Sequence, residues 1–203
     1  MEAVAFQYAP LDHNSTSFRL LHLLPGLSET PIQCHIFNTL VSEWENRYVA
    51  GSYVWGQPHS EKDIVLNGKP FKIRENLYAF LSAVRICLDK PLAIWVDAIC
   101  IDQSSILERN HQVGMMDVVY SNATATWSWL GPGSPDTDWF FETLANTPEY
   151  DDLKSPFDME KHYPRHDMYK GSAILLGDIA AREYWTRIWI VQEMFLAKKV
   201  VLL

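Results

Sequence analysis

The stretch TRIWIVQEMF near the carboxyl end brings Arg187, Trp189, Gln192 and Glu193 together, and these are the residues best suited to chemistry. Thr186 is a suitable N-cap for a helix running through Ala197. At about 100° per residue, Ile188, Val191, Met194 and Phe195 gather on one side, the expected core side. Trp189, Gln192, Glu193 and Leu196 gather on another. Glu193 lies one turn after Trp189, so an indole and a carboxylate share a face with an amide beside them. Such a face can stack a planar ring and stabilise positive charge developing next to it. The same pattern also fits an exposed glutamate on an amphipathic helix with a half-buried tryptophan, and spacing alone leaves both open. Arg187, in the expected first turn, opposes the helix dipole by about 0.3–1 kcal/mol. An acidic partner or a bound anion must compensate, and the abundance of Asp and Glu favours the partner.

A second group lies at the expected carboxyl ends of strands, where open α/β sheets place their ligand crevices. Asp97 and Asp102 flank the end of the apolar run Leu92–Ile101, and Asp97 requires hydrogen bonds or a crevice. Gly51-Ser52-Tyr53-Val54-Trp55-Gly56 ends another strand. It matches neither a GxSxG elbow nor a GxGxxG or P-loop phosphate cradle. On the helix opened by Ser105, Arg109 falls within the apolar stripe Ile106, Val113, Met116 and Tyr120. It is expected to form a structural pair with Asp97, Asp102 or Asp117. His162 and His166 have metal-like spacing, but Pro164 breaks the helix that would align them, which argues against zinc.

The elements that must position these residues alternate. Strands are expected at Phe18–Leu24, Ile32–Phe37 and Tyr48–Trp55. A hairpin follows, with strands Ile64–Leu66 and Phe71–Ile73 around Asn67-Gly68, and Pro70 confines its second strand to an edge. Leu77, Phe80, Leu81, Val84 and Leu88 then mark an amphipathic helix. Leu92–Ile101 reads as a strand covered on both faces. Ser105 and Glu108 form a capping box opening a helix of about four turns. A strand at Ala123–Leu130 follows, then helices at Asp136–Ala145 and Met168–Arg182 separated by an acidic, proline-containing connection, the final helix, and a strand from Val200. This βα alternation predicts an open, mostly parallel α/β sheet flanked by helices. Residues 1–17 are expected to form a flexible arm, with a single domain over 18–203 carrying an insertion at about 132–185. The last strand meets the chain end without a turn, which suggests a chain cut from a longer protein.

Composition narrows the function classes. Of 203 residues, 48% are apolar and 21% charged, ordinary for a globular protein. The 17 basic and 25 acidic residues leave a net charge of −8, which argues against a nucleic-acid surface. No apolar run reaches the roughly 18 residues of a membrane span, and Met1-Glu2-Ala3-Val4 does not open a secretory signal. Cys34, Cys87 and Cys100 are odd in number and far apart, as in a reduced, cytoplasmic protein.

Four ordered blocks carry a family resemblance: YVAGSYVWG, IVLNGKPFKIRENLYAFLSAVR, AIWVDAICIDQSSILERNHQVGMMDVVYSNATATWSWLG and YWTRIWIVQEMFLAKKV. With the opening FRLLHLLPG, they resemble the fungal heterokaryon-incompatibility (HET) domain over about residues 18–203. Gly51 stands where that family usually has Leu, Asp102 where it has Asn, and EYWTRIW replaces a proline-tryptophan-phenylalanine start. The resemblance implies a role in fungal non-self recognition, in which the domain triggers cell death after incompatible cells fuse. It further implies kinship with the Toll/interleukin-receptor (TIR) domain, a flavodoxin-like fold. Tyr48–Gly56, Ala93–Asp102 and Ala123–Gly131 are similar to the first three TIR strands and their loops. Trp189 and Glu193 resemble the tryptophan and glutamate of a TIR helix, where the glutamate is required for NAD+ cleavage.

By that resemblance, Glu193 would be catalytic. Ser52, Tyr53, Trp55, Gly56, Asp97, Asp102, Arg187, Trp189 and Gln192 would bind the substrate, NAD+ or a related nucleotide. No metal or cofactor is implied, and self-association would accompany activity. A non-enzymatic adaptor that signals by self-association is the alternative, and a nucleotide sensor without turnover is a third.

Overall fold

A computed structural model describes residues 6–138 and 176–203. They fall into two compact units, one holding residues 6–131 and 187–203, the other holding 132–138 and 176–186.

In the first unit, eight strands form one sheet in the order β5-β4-β2-β1-β6-β3-β7-β8. Ser17–Leu23 (β1) is buried along nearly its whole length, whereas Gln33–Leu40 (β2) begins by alternating exposed and buried positions. The two pair antiparallel. Glu61–Leu66 (β4) and Lys69–Arg74 (β5) form the expected hairpin. Asn67 and Gly68 both hold positive φ, 50° and 75°, as a tight two-residue turn requires. The Asn67 amide also bonds the backbone of Ile36 at both N–H and C=O, locking the hairpin to β2. Pro70 lies on the edge strand, where its missing N–H removes no interior ladder bond.

The other half is parallel throughout. Val49–Tyr53 (β3) pairs with Leu92–Trp95 (β6) on one side and Ala125–Trp129 (β7) on the other, and β7 pairs with Val200–Leu202 (β8). Counted along the chain, these four strands lie in the order 2-1-3-4, the start of a flavodoxin-like sheet, with its reversal at β3. A Cβ on Gly51 would lie 2.8 Å from Val96 Cγ1 and 2.9 Å from Phe80 Cε1, so the absence of a side chain lets helix and sheet close together. Gly51 therefore belongs to a tightly packed centre.

Glu75–Ile86 (α1) buries Leu77, Phe80, Leu81 and Val84 on the predicted stripe. The Arg85 guanidinium, also buried, donates to the carbonyls of Leu27, Ser28 and Thr30 and ties down the loop after β1.

Three predicted elements differ. The run Leu92–Ile101 is a strand only to Trp95. The chain then turns into a one-turn helix, Asp97–Cys100 (α2), with the N–H groups of Ile99 and Cys100 on the Val96 carbonyl. Strand and turn are both buried, and a buried apolar run reads alike in either conformation. The long helix after Ser105 is two helices, Ile106–Val113 (α3) and Met116–Asn122 (α4), parted at Gly114-Met115. Ser105 caps α3 as expected, accepting the Glu108 N–H. The final helix is Ile190–Phe195 (α5), shorter than predicted, and the hydroxyl of Thr186 bonds Glu183 C=O in a preceding 3-10 turn.

The break between α3 and α4 changes which face is inside. Met116 and Tyr120 are buried as expected, but Ile106 and Val113 are exposed, and α3 buries Glu108 and Gln112. The cause is on β1. Arg19, buried there, donates to both Glu108 carboxylate oxygens and to Cys100 C=O and Ala9 C=O, while Gln112 Nε2 donates to Ser17 C=O. A cation inside the core selected the polar side of the helix.

Of the second unit, residues 132–138 and 176–186 are described. Residues 176–180 are helical, Tyr184 is buried with its ring edge-on to Trp185, and Trp185 Nε1 donates to Ile179 C=O at 2.7 Å. Most of the expected helix at 136–145, the connection with His162 and His166, and residues 168–175 of the next helix lie outside the described residues.

Candidate functional site

Ser52 lies in β3, fully buried, and its hydroxyl donates to Glu193 Oε2. Glu193 reaches it because α5 turns Ile190 and Glu193 inward, three residues apart. The Thr126 hydroxyl on β7 holds the Glu193 backbone carbonyl at 3.2 Å. The expected core side of this helix is inverted: Ile188 and Phe195 are 83% and 86% exposed, and Val191 is exposed too. Apolar residues marked the wrong face because Glu193 is turned inward onto Ser52 and Arg187, a polar contact that apolar spacing does not mark.

Arg187 lies before the helix, so the expected conflict with the helix dipole does not arise. Its guanidinium forms a two-pronged bond to Glu193, 2.9 Å from Nη1 to Oε2 and 2.7 Å from Nη2 to Oε1, and Nη1 also reaches Ser52 Oγ at 3.1 Å. Of the two expected partners for Arg187, the acidic one is therefore the one found. Burial works against the Arg187 charge, but the charge and hydrogen bonds of Glu193, helped by Tyr120 and Asp97, together hold the guanidinium above its ordinary pKa.

Asp97 begins α2 at the carboxyl end of β6. Oδ1 accepts the Tyr53 hydroxyl at 2.9 Å and the Ala98 N–H at 2.8 Å, and Oδ2 accepts Trp55 Nε1 at 2.8 Å. Burial pushes its carboxyl above the usual carboxylate range, with those three donors and the charge of Arg187 pulling the other way. Burial, then the charge of Asp97, pushes the Tyr53 phenol well up, so it remains a donor. Trp55 is fixed twice: its N–H is on Asp97, and the Arg74 guanidinium lies 5.0 Å from its ring centre.

These groups meet around a cleft of about 410 Å³ lined by Trp55, Asp97, Gln103, Arg109, Arg187, Trp189 and Glu193, with Val54, Ile101, Val113 and Met116 as apolar wall. It opens beyond the carboxyl ends of β3 and β6, beside the strand where the parallel order reverses. Of the sequence-predicted site residues, Trp55, Asp97, Arg187, Trp189 and Glu193 line it, and Ser52 and Tyr53 support two of them from below. Three are not brought there. Gly56 takes positive φ, 72°, and its carbonyl accepts Arg74. Asp102 Oδ1 accepts the Ser104 N–H and hydroxyl within its own turn. Gln192 is exposed on the outer side of α5.

Two cleft residues were missed. Gln103 donates to the Asp97 backbone carbonyl at 2.9 Å. Arg109, expected in a core pair, is exposed at the cleft rim. Neighbours on a helix point about 100° apart, so burying Glu108 turns Arg109 outward. That inward glutamate was the available signal.

Cys34 and Cys100 are buried, and burial pushes their thiols up to about 12, while Cys87 is exposed; all three are free. Among the described residues no cluster of acids, histidines and cysteines could hold a metal, and no helix is long and apolar enough to cross a membrane.

Residues 48–193 match the family model described as heterokaryon incompatibility protein (HET). The chain is 31% identical over 154 residues to heterokaryon incompatibility protein 6, OR allele, of Neurospora crassa. That alignment covers 70% of this chain and 22% of the relative, so the chain spans about a fifth of that protein's length. No solved structure matches. The matched segment runs from the start of β3 through Glu193, and so contains every residue that lines the cleft. The chain belongs to the heterokaryon-incompatibility family.

Proposed function

We propose that this domain acts in fungal non-self recognition as a cell-death effector, and that it does so by cleaving the nicotinamide–ribose bond of NAD+. The observation that carries the proposal is a buried carboxylate, Glu193, opening on a cleft that also holds two indoles and two guanidinium groups. As the N–C1′ bond breaks, its electron pair leaves with the nicotinamide ring and the ribose becomes an oxocarbenium-like cation. Water then adds at C1′ and releases a proton. A carboxylate beside the ribose stabilises that cation in a site of low dielectric. Trp55, with its ring orientation fixed, and Trp189 offer stacking surfaces for nicotinamide or adenine.

Arg187 sets a condition on this chemistry. While its fork rests on Glu193, the carboxylate is largely neutralised. Among the described residues Oε1 accepts a single hydrogen bond, which leaves an acceptor position for a ribose hydroxyl. A substrate diphosphate supplies the anion that draws the guanidinium away and restores the negative charge. The test is nicotinamide release by concentrated protein incubated with NAD+. Wild type is expected to turn over and Glu193→Ala to be inactive; equal rates in the two would remove Glu193 from catalysis.

Self-association without turnover is the second reading, favoured by the exposed Ile188, Val191 and Phe195. Light scattering distinguishes it. A concentration-dependent rise in mass that is lost in Phe195→Glu, together with no nicotinamide release, would favour the adaptor.

A further inference from the structure

Four charged side chains line the cleft, and three already have partners within the protein. Asp97 is held by Tyr53, Trp55 and the Ala98 N–H; Glu193 by Ser52 and Arg187; Arg187 by Glu193. The fourth is Arg109. Among the described residues no carboxylate pairs with its guanidinium, and the adjacent Glu108 is turned the other way, onto Arg19. Its position is set by α3, which places Val113 one turn further along the same wall. A solvated arginine on a convex surface would mean little. This one stands at the mouth of a concave site lined by indoles, with five N–H donors in a planar fork suited to phosphate oxygens.

Resting on the nucleotide reading above, we infer that Arg109 binds the diphosphate of the ligand, so that the cleft selects nucleotides over nucleosides. Arg187 and Arg109 then divide the work. Arg187 guards Glu193 until an anion arrives, and Arg109 holds that anion from the rim. Because Arg109 is exposed and has no internal partner among the described residues, its replacement leaves the fold intact.

The experiment is calorimetric titration of wild type and Arg109→Gln with ADP-ribose and, separately, with adenosine. ADP-ribose is expected to bind Arg109→Gln about ten- to a hundredfold more weakly, the value of one charge-assisted contact, with adenosine unchanged. Arg109→Lys should recover part of the loss, and the gap between wild type and Arg109→Gln should narrow as salt rises. Equal ADP-ribose affinity in wild type and Arg109→Gln overturns the role of Arg109 while leaving nucleotide binding in place. A parallel loss for adenosine also overturns it, because the residue would then shape the pocket without reading phosphate. A wild-type protein that binds neither ADP-ribose nor NAD+ overturns both this inference and the nucleotide reading beneath it.

Discussion

Among the described residues two arginine–glutamate pairs have a buried carboxylate, and their surroundings differ. Arg19 and Glu108 are sealed, with side chains 1% and 6% exposed, and their surroundings hold both: carbonyls of Ala9 and Cys100 on the terminal guanidinium nitrogens, the Asp102 N–H on the carboxylate, and the Tyr8 ring 4.6 Å from the cation, with Arg19 Nε alone lacking a partner among the described residues. Arg187 and Glu193 have the same chemistry, but the arginine is 18% exposed and both residues line a void. The first pair fixes the register of α3 on β1. The second could open without disturbing the sheet, because its cation can regain water from the cleft. Chemical identity of a buried pair therefore says little about its role. What lies beside it says more.

The largest expected effect tests the sealed pair. Glu108→Gln leaves Arg19 charged in the core without its carboxylate and should cost about 3–5 kcal/mol in urea unfolding. At the open pair the balance between stability and activity reverses. Glu193→Gln should cost about 1–3 kcal/mol of stability, yet, under the proposed NAD+ cleavage, lower nicotinamide release by about a hundredfold or more. Were Glu193→Gln to unfold the protein as readily as Glu108→Gln while sparing activity, the two pairs would be equivalent and the contrast would be lost. Gly51→Ala is the intermediate case and touches neither pair. Its Cβ meets Val96 and Phe80, both stiff, so a loss of about 1–3 kcal/mol is expected in thermal or urea melts.

The smallest effect concerns pH. Burial raises the Asp97 pKa in the folded state, so the folded chain holds that proton more tightly than the unfolded chain. The stability this proton contributes is complete below the ordinary aspartate range and declines as pH rises through the raised value. Asp97→Asn does not titrate. Urea midpoints measured across the acidic range should fall less steeply with rising pH in Asp97→Asn than in wild type, and identical slopes would show that Asp97 titrates normally.

Much of the architecture was legible in local pattern. The Asn67-Gly68 hairpin, the α1 stripe and the parallel alternation each rest on interactions between near neighbours or on simple periodicity. The candidate site was legible in part. Trp55 and Asp97 were singled out at strand ends, Arg187, Trp189 and Glu193 by residue type and spacing on the last predicted helix and by the family resemblance, and all five line one cleft. Which face of α5 turns inward was not legible, because Ile188, Val191 and Phe195 form a more apolar arc than the side holding Glu193. Arg109 was misplaced for a related reason: the core position of Glu108 depends on Arg19, 89 residues earlier in the chain.

By itself the sequence determined the class of fold, the edge hairpin, the acidic surface balance and the chemical types available at the end of the chain, since propensity and periodicity act locally. Only the tertiary structure decided which charges are neutralised and which face a cavity. A buried charge is settled by whatever partner the fold brings to it, and here β1 supplies Arg19 to α3 while β3 supplies Ser52 to α5. Those meetings span most of the chain, and no local pattern encodes them.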